Sequence, residues 1–187
     1  MSKNTMIQLS DLKRKNYDYT FFWFSNTAVK NKISNVPPAS ALTGLMILAD
    51  RLQEITNKTG FILKASNVFR SQKLNKIVGG SPTSAHCQGL AVDIIAVEAT
   101  PEEKLKNPKK KIPKTLEEIC DLILSSGIIF DQILMEKDKG CVHLGLKSNE
   151  KDNRFEIGFG YIEKGAWKKH LIDSKKMRLE KKTIVNL

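Results

Sequence analysis

The sequence is poor in cysteine, in histidine and in long apolar runs. Its three cysteines, Cys87, Cys120 and Cys141, are odd in number and form no CxxC pair, so a disulfide framework is not expected. No apolar stretch approaches the roughly 20 residues of a membrane span. Residues 1–4 lead into no apolar signal-peptide core, and we expect synthesis in the cytoplasm without a signal peptide. The length of 187 residues fits one compact domain, over residues 1–187, with a sizeable core.

Acidic residues are outnumbered, because 31 Lys and Arg stand against 20 Asp and Glu and give a formal net charge of +11. Basic clusters lie at residues 104–114, 168–169 and 175–182. Such clusters attract anionic partners, either nucleic acid or anionic cell-wall polymers, although any single cluster is most often plain solvated surface. No nucleic-acid motif and no aromatic platform accompanies the lysines, so specific nucleic-acid binding is not expected. A nucleic-acid-associated basic protein stays as an alternative; it predicts salt-dependent DNA binding that survives chelation.

Histidine is scarce, but its positions are informative. His86 and Asp93 stand seven positions apart with mostly small residues between them. A catalytic zinc takes three protein ligands and leaves a fourth position for water, so this pair needs one more donor. His143 lies in the strand-like run Cys141–Leu146, where the pleat fixes side-chain direction, whereas His170 sits among lysines and is the poorer candidate. The pattern predicts one Zn²⁺ per chain on His86, Asp93 and His143.

Two other interpretations of these residues stay open. A single His and Asp on a loop more often satisfy backbone groups than bind a metal. The glycines around His86 favour the metal site because they permit tight turns there, and Asp93 borders an apolar run at residues 94–96. Cys141, on the same strand face as His143, offers a thiolate in place of Asp93, although a small apolar filler is its commoner role.

Several short motifs follow one another in an order that is more specific than any one of them. In chain order they are Phe69-Arg70-Ser71, Asn75, Val78-Gly79-Gly80-Ser81, the pattern SxHxxGxAxD at residues 84–93, and Val142-His143. This order resembles the zinc D-alanyl-D-alanine carboxypeptidase family, which includes phage and bacterial endopeptidases that cut peptidoglycan stem peptides. Residues 25–28 and 33–37 are similar to the opening stretch of the family, so the resemblance covers about residues 20–155.

The resemblance implies an α+β fold, in which a small antiparallel sheet carries the zinc site and helices pack on one side. It also implies a zinc metallopeptidase that hydrolyses bonds in peptidoglycan stem peptides, as a D-Ala-D-Ala carboxypeptidase or an endopeptidase. An enzyme without a signal peptide reaches the wall after lysis or by delivery with a virion, which favours a phage endolysin or a virion-associated enzyme and makes virion proteins candidate partners. A non-catalytic zinc-containing binding or virion structural module is the alternative.

A β-hairpin is predicted around the last candidate ligand. Two strand-like runs, residues 131–136 and 141–146, flank the turn sequence at residues 138–140. If the turn centres between residues 138 and 139, the side chains of Glu136 and His143 share one face of the sheet. Glu136 is then expected to lie within reach of the metal.

Enzymes of this family use an acidic residue near the last histidine as general base, and Glu136 matches it by position and parity. Several relatives carry this acid three residues before the histidine, where this chain has Gly140. Asp131 and Asp138 are therefore kept as fallbacks, and a solvated strand end is the other interpretation of Glu136.

Two further residues are expected to serve the substrate. Arg70 matches the family's arginine upstream of the ligand loop, and its planar fork would hold a substrate carboxylate or the developing oxyanion. A surface ion pair is its alternative role. Ser84 is expected to orient the ligand loop or Asp93 through a hydrogen bond.

Apolar periodicity places the other elements. An amphipathic helix is predicted over residues 40–57, with one stripe formed by Leu45, Leu48, Leu52 and Ile55. The remaining predictions are strands over 61–65 and 90–97, a short helix over 71–77, and a helix from the capping box of Thr115 and Glu118 to near Gly127.

Two segments fall outside this regular pattern. Residues 101–114, with three Pro and six Lys, are predicted to be an exposed basic insertion of low order and a site of proteolytic nicking. Residues 156–187 form a C-terminal extension, either a tail that binds the wall or the virion, or an edge strand and terminal helix that cover the core. We favour the second interpretation.

Overall fold

The computed structural model describes residues 7–163 and 166–172. Within these ranges the helices are α1 (Asn26–Lys30), α2 (Ala39–Thr59), α3 (Gln72–Ile77), α4 (Pro101–Lys106) and α5 (Leu116–Ser125). The strands are β1 (Phe61–Asn67), β2 (Ala91–Ala99), β3 (Gln132–Glu136), β4 (Cys141–Gly145), β5 (Glu156–Glu163) and β6 (Ala166–Ile172). In the part of the chain so described, no helix is both long and apolar enough to cross a membrane.

The six described strands form one sheet in the order β1-β2-β4-β3-β5-β6. Neighbouring strands are antiparallel except β3 and β5, which run parallel. The β3–β4 hairpin thus occupies the centre of the sheet, with β4 beside β2. The prediction of an α+β fold is confirmed, and the sheet that was predicted to be small and antiparallel has six described strands and one parallel pairing.

One face of the sheet packs against α2 and α5. The four predicted stripe residues of α2 are fully buried: Leu45, Leu48, Leu52 and Ile55. They join one core with the alternate residues of the central strands, namely Val92, Ile94, Ile133, Val142 and Leu144. Because side chains alternate along a strand, the residues between these, Asp93 and His143 among them, project from the other face. Asp93 and His143 therefore lie on the face of the sheet that is opposite α2 and α5.

The predicted hairpin is confirmed, with the predicted register. Leu134 lies opposite His143, and Glu136 lies opposite Cys141. The chain reverses through a short 3₁₀ turn at Lys137–Lys139, followed by Gly140 in the left-handed region at φ 63°. The parity argument thus places Glu136 on the face that carries His143.

Two segments differ from their predictions. Residues 101–106, expected to be of low order, form helix α4, because the Thr100 side chain caps its start and proline occupies its first turn. Residues 107–114 are exposed and irregular, apart from the partly buried Pro113. Beyond Arg154 the chain adds two strands, β5 and β6, where one edge strand was predicted. The predicted terminal helix lies outside the described residues.

Candidate metal centre

Three side chains from three separate elements converge on the open face of the sheet. His86 comes from a 3₁₀ turn at Ala85–Gln88, Asp93 from β2 and His143 from β4. One nitrogen or oxygen from each of the three residues lies within 4.8 Å of the others. His86 and Asp93 are buried, whereas His143 is partly open to solvent. The structure therefore brings together all three of the predicted metal ligands.

The orientation of His86 is fixed by the backbone of the preceding loop. Its Nδ1 lies 2.6 Å from the carbonyl oxygen of Val68, which makes Nδ1 the protonated nitrogen, donating to that oxygen. Its Nε2 then faces Oδ1 of Asp93 at 3.2 Å. Burial lowers the pKa of His86, although Asp93 acts in the opposite direction. A metal binds the imidazole in its neutral form.

Gly89 ends the His86 turn and allows it to pack closely against α2. Its φ is 73°, and a Cβ at this position would lie 2.6 Å from the carbonyl oxygen of Ala41 and 2.8 Å from the amide nitrogen of Leu45. We expect Gly89→Ala to lower the free energy of unfolding by about 3 kcal/mol, because left-handed strain adds to an overlap with backbone that cannot move aside. Urea unfolding measures this change.

Gly79→Ala is the matched control for that substitution. Gly79 also has a positive φ, 69°, but a Cβ added there would have no atom within 4 Å among the described residues. It should lose only the conformational contribution, about 1 kcal/mol. Equal losses for the two variants would contradict the close packing of the ligand turn on α2.

Asp93 and His143 are paired directly across β2 and β4. Asp93 Oδ1 lies 2.9 Å from His143 Nδ1 as well as 3.2 Å from His86 Nε2. Burial of Asp93 acts to raise the pKa of its carboxyl, but His86 and His143 outweigh it and hold this pKa well below its usual range. Asp93 is therefore a carboxylate at neutral pH, as a metal ligand must be.

Asn67, at the end of β1, also belongs to the site, although no sequence motif pointed to it. Its Nδ2 donates to Oδ2 of Asp93 at 3.1 Å and lies 3.3 Å from Nδ1 of His86. Asn67 is in register with Asp93, but only after irregular pairing between β1 and β2. The predicted strand ended at residue 65, and nothing in the local pattern signals this pairing.

We expect Asn67→Ala to weaken zinc binding by about 10- to 100-fold, the usual loss when a hydrogen bond that orients a metal ligand is removed. Isothermal titration of the metal-free protein with zinc measures the change. Lys64→Ala is the control on the same strand, since Lys64 pairs with Glu98 at 3.0 Å instead of contacting the ligands. Unchanged affinity in Asn67→Ala would show that Asp93 needs no such support.

Glu136 lies beside Asp93, on the sheet face that carries His143. An oxygen of its buried carboxylate, the Cys141 Sγ and an Asp93 oxygen lie within 4.8 Å of one another. Oε2 of Glu136 accepts a hydrogen bond from Lys139 Nζ at 2.9 Å and one from Cys141 Sγ at 3.6 Å. The carboxylate is thus held from two sides, next to the candidate metal.

Cys141 is close enough to compete with Asp93 as a ligand, but its environment disfavours a thiolate. Burial, together with the charges of Asp93 and Glu136, raises the pKa of the Cys141 thiol to about 12. A neutral thiol donating to Glu136 is the state that these surroundings favour.

The two fallback acids are placed elsewhere. Asp131 accepts two hydrogen bonds from the guanidinium of Arg154, at 2.8 and 2.7 Å, and so joins β3 to the segment before β5. Asp138 is exposed in the hairpin turn. His170, the poorer ligand candidate, is exposed on β6 opposite Phe159. Glu136 is thus the acid that the fold places next to the ligands.

Arg70 and Ser84 approach the site together. Arg70 Nη2 donates to Ser84 Oγ at 3.3 Å. Burial lowers the pKa of Arg70 from its ordinary value. Its Nε is buried without a hydrogen-bond partner among the described residues. The Ser84 hydroxyl therefore contacts Arg70, whereas the predicted role was to orient the ligand loop or Asp93.

The donor set fits a zinc ion, because two imidazole nitrogens and a carboxylate oxygen supply three ligands and leave one position for water or substrate. With Glu136 and Arg70 beside it, such a centre defines a metal-dependent hydrolase. A family model described as Peptidase M15 matches residues 15–118, more than half of the chain. The protein belongs to this family of zinc-dependent peptidases. No curated protein is similar enough to match the chain.

The matched region contains part of the site. It includes Arg70, Ser84, His86 and Asp93, and it ends before Glu136 and His143. The last two residues are joined to the first four by the β2–β4 pairing and by the distances given above. The roles of Glu136 and His143 therefore depend on this geometry.

Proposed function

We propose that the protein is a zinc-dependent peptidase that hydrolyses peptide bonds in peptidoglycan stem peptides, as a D-Ala-D-Ala carboxypeptidase or an endopeptidase. The convergence of His86, Asp93 and His143 beside a buried carboxylate is the observation that carries this proposal. Membership of the Peptidase M15 family supports the peptidase chemistry. We assign one zinc ion per chain to the three residues.

We assign the catalytic roles by the positions of the side chains. His86, Asp93 and His143 would hold the zinc ion, which when bound would supply Lewis-acid chemistry for activating a water and polarising the scissile carbonyl. Glu136 accepts the proton of the attacking water and delivers it to the leaving amine. Lys139 and Cys141 hold Glu136 in place by hydrogen bonds to Oε2.

We assign Arg70 to the binding of a substrate oxygen. Its buried Nε lacks a hydrogen-bond partner among the described residues, and a substrate oxygen would satisfy it. A carboxylate of the stem peptide or the oxyanion formed during attack supplies that oxygen, and the planar guanidinium suits either one. Ser84 steadies the guanidinium through Nη2.

The surface charge supports action on a cell wall. A net charge of +11 attracts anionic wall polymers, which would concentrate the protein at its substrate. We propose that the protein is a phage lysis enzyme or a virion-associated enzyme. It would reach the cell wall after lysis in the first case and by delivery with the virion in the second. Virion proteins are then its candidate partners.

The test is digestion of purified peptidoglycans that differ in stem-peptide chemistry, with the zinc-loaded protein and with a chelator-treated sample. Mass spectrometry of the products identifies the bond that is cut. A cut that the chelator abolishes and added zinc restores is the expected result. If none of the peptidoglycans is cut although zinc is bound, the peptidase proposal is overturned. That result would indicate a non-catalytic binding or virion structural module.

A further inference from the structure

Asn35, in the loop between α1 and α2, is a buried amide that connects three segments. Its Nδ2 donates to the carbonyl oxygens of Trp23 at 2.7 Å and of Phe69 at 3.0 Å. Its Oδ1 accepts a hydrogen bond from the backbone N–H of Ser71 at 2.7 Å. Only 5% of Asn35 is exposed. These three bonds use both polar ends of the amide.

Two of these bonds bracket Arg70, because Phe69 directly precedes it and Ser71 directly follows it. The amide of Asn35 thereby pairs with this short stretch as a neighbouring strand would. Arg70 is also held by its own N–H, which donates to the carbonyl oxygen of His86 at 3.3 Å. The segment lies between β1 and α3, outside any helix or strand. The side chain of Asn35 thus makes the hydrogen bonds to this segment that a neighbouring strand would otherwise make.

We infer that Asn35 is a positioning residue that acts on the substrate through Arg70. An arginine side chain is long and has many rotamers, so its guanidinium is placed accurately only when its backbone is fixed. A displacement of about 1 Å at a substrate-binding group can lower the rate about 100-fold. The inference rests on the function proposed above, in which Arg70 binds a substrate oxygen.

A double-mutant cycle with Asn35→Ala and Arg70→Ala tests this coupling on the bond that the full-length, zinc-loaded protein cuts. Asn35→Ala alone should lower kcat/KM by about 10- to 100-fold. In the Arg70→Ala background the same change should lower it less than about 3-fold, because the group it positions is gone. Equal losses in both backgrounds would overturn the inference and make Asn35 an ordinary structural residue. Zinc affinity should be the same in all four proteins.

Asn31→Ala is the matched control, since Asn31 Nδ2 also donates to a backbone carbonyl, that of Thr27 at 2.8 Å, but far along the chain from Arg70. It should leave kcat/KM unchanged. If Asn35→Ala does not fold, Asn35→Asp takes its place in the cycle, because it keeps the acceptor for Ser71 and removes the donor to Phe69 and Trp23. Hydrogen exchange of the Ser71 amide should be faster in Asn35→Ala, and unchanged exchange would contradict the bond itself.

A protein that cuts nothing would refute the proposed function without deciding this inference, so a binding measurement completes the design. Calorimetric titration with N-acetyl-D-alanyl-D-alanine, whose carboxylate is the probe for Arg70, gives a second cycle over the same four proteins. The same non-additive pattern in affinity supports the inference even in an inactive protein. Additive losses, or a wild-type protein that does not bind this probe and cuts nothing, would overturn it.

Discussion

His143→Ala should abolish measurable zinc binding and peptidase activity together. His143 is one of three protein ligands, and two remaining donors do not make a catalytic zinc site. Its Nδ1 also contacts Asp93 at 2.9 Å, so its removal frees the carboxylate that lies between both histidines. Zinc content after dialysis and digestion of the same peptidoglycan panel measure the two losses.

His170→Ala is the matched control for this substitution. His170 is the other histidine on a strand of the sheet, but it is exposed on β6 and opposes Phe159. It should keep full zinc content and activity. A His143→Ala protein that retains one zinc per chain would refute the assigned ligand set and favour the neighbouring group of Asp93, Glu136 and Cys141.

Glu136→Gln should keep zinc and lose about 10²- to 10⁴-fold in kcat, the usual contribution of a general base. Glutamine preserves the size of the side chain and still accepts a hydrogen bond, but it cannot take up a proton from water. Retention of zinc with loss of turnover would distinguish Glu136 from the assigned ligands, because substitution of a ligand should remove both. Zinc titration and steady-state kinetics on the cleaved stem peptide provide both measurements.

Asp138→Asn is the control, because Asp138 is an acid only two residues away in the chain but exposed in the turn. Its activity should equal that of the wild type. A fully active Glu136→Gln protein would remove Glu136 as the base, and a simultaneous loss in Asp138→Asn would transfer the role to that residue.

Much of this site was predictable because the strand period is two. Once a turn was placed at residues 138–140, parity alone put Glu136 on the face of His143, and the observed register agrees. The pair of His86 and Asp93 was recognisable because the two residues are only seven positions apart in the chain. Each of these inferences depends on residues that are close in the chain or joined by one tight turn.

Asn67 and Asn35 were not predictable in the same way. Asn67 reaches Asp93 across 26 positions, and the pairing of β1 with β2 is irregular on both sides of Ala65. Asn35 reaches Phe69 across 34 positions through its side chain alone. Asparagine in a loop satisfies backbone groups in most proteins, and its sequence neighbours do not tell which groups these are.

Long-range pairing also explains what was missed in the fold. The parallel pairing of β3 with β5 depends on the path of the chain through residues 146–155. The apolar periodicity of the sequence does not predict that path. Helix α4 was overlooked because lysine and proline dominate the whole segment 101–114, although the Thr100 cap and the proline in the first turn are ordinary signals of a helix start.

The position of the exposed insertion along the chain has a consequence for the integrity of the enzyme. Asp93 and His143 are 50 residues apart, and the irregular residues 107–114 lie between them. A protease that cuts there would yield one fragment with His86 and Asp93 and another with Glu136 and His143. The two fragments would remain adjacent through the β2–β4 ladder, and a bound metal would bridge them. The integrity of the candidate centre therefore depends on the pairing of β2 with β4 as well as on the continuity of the chain.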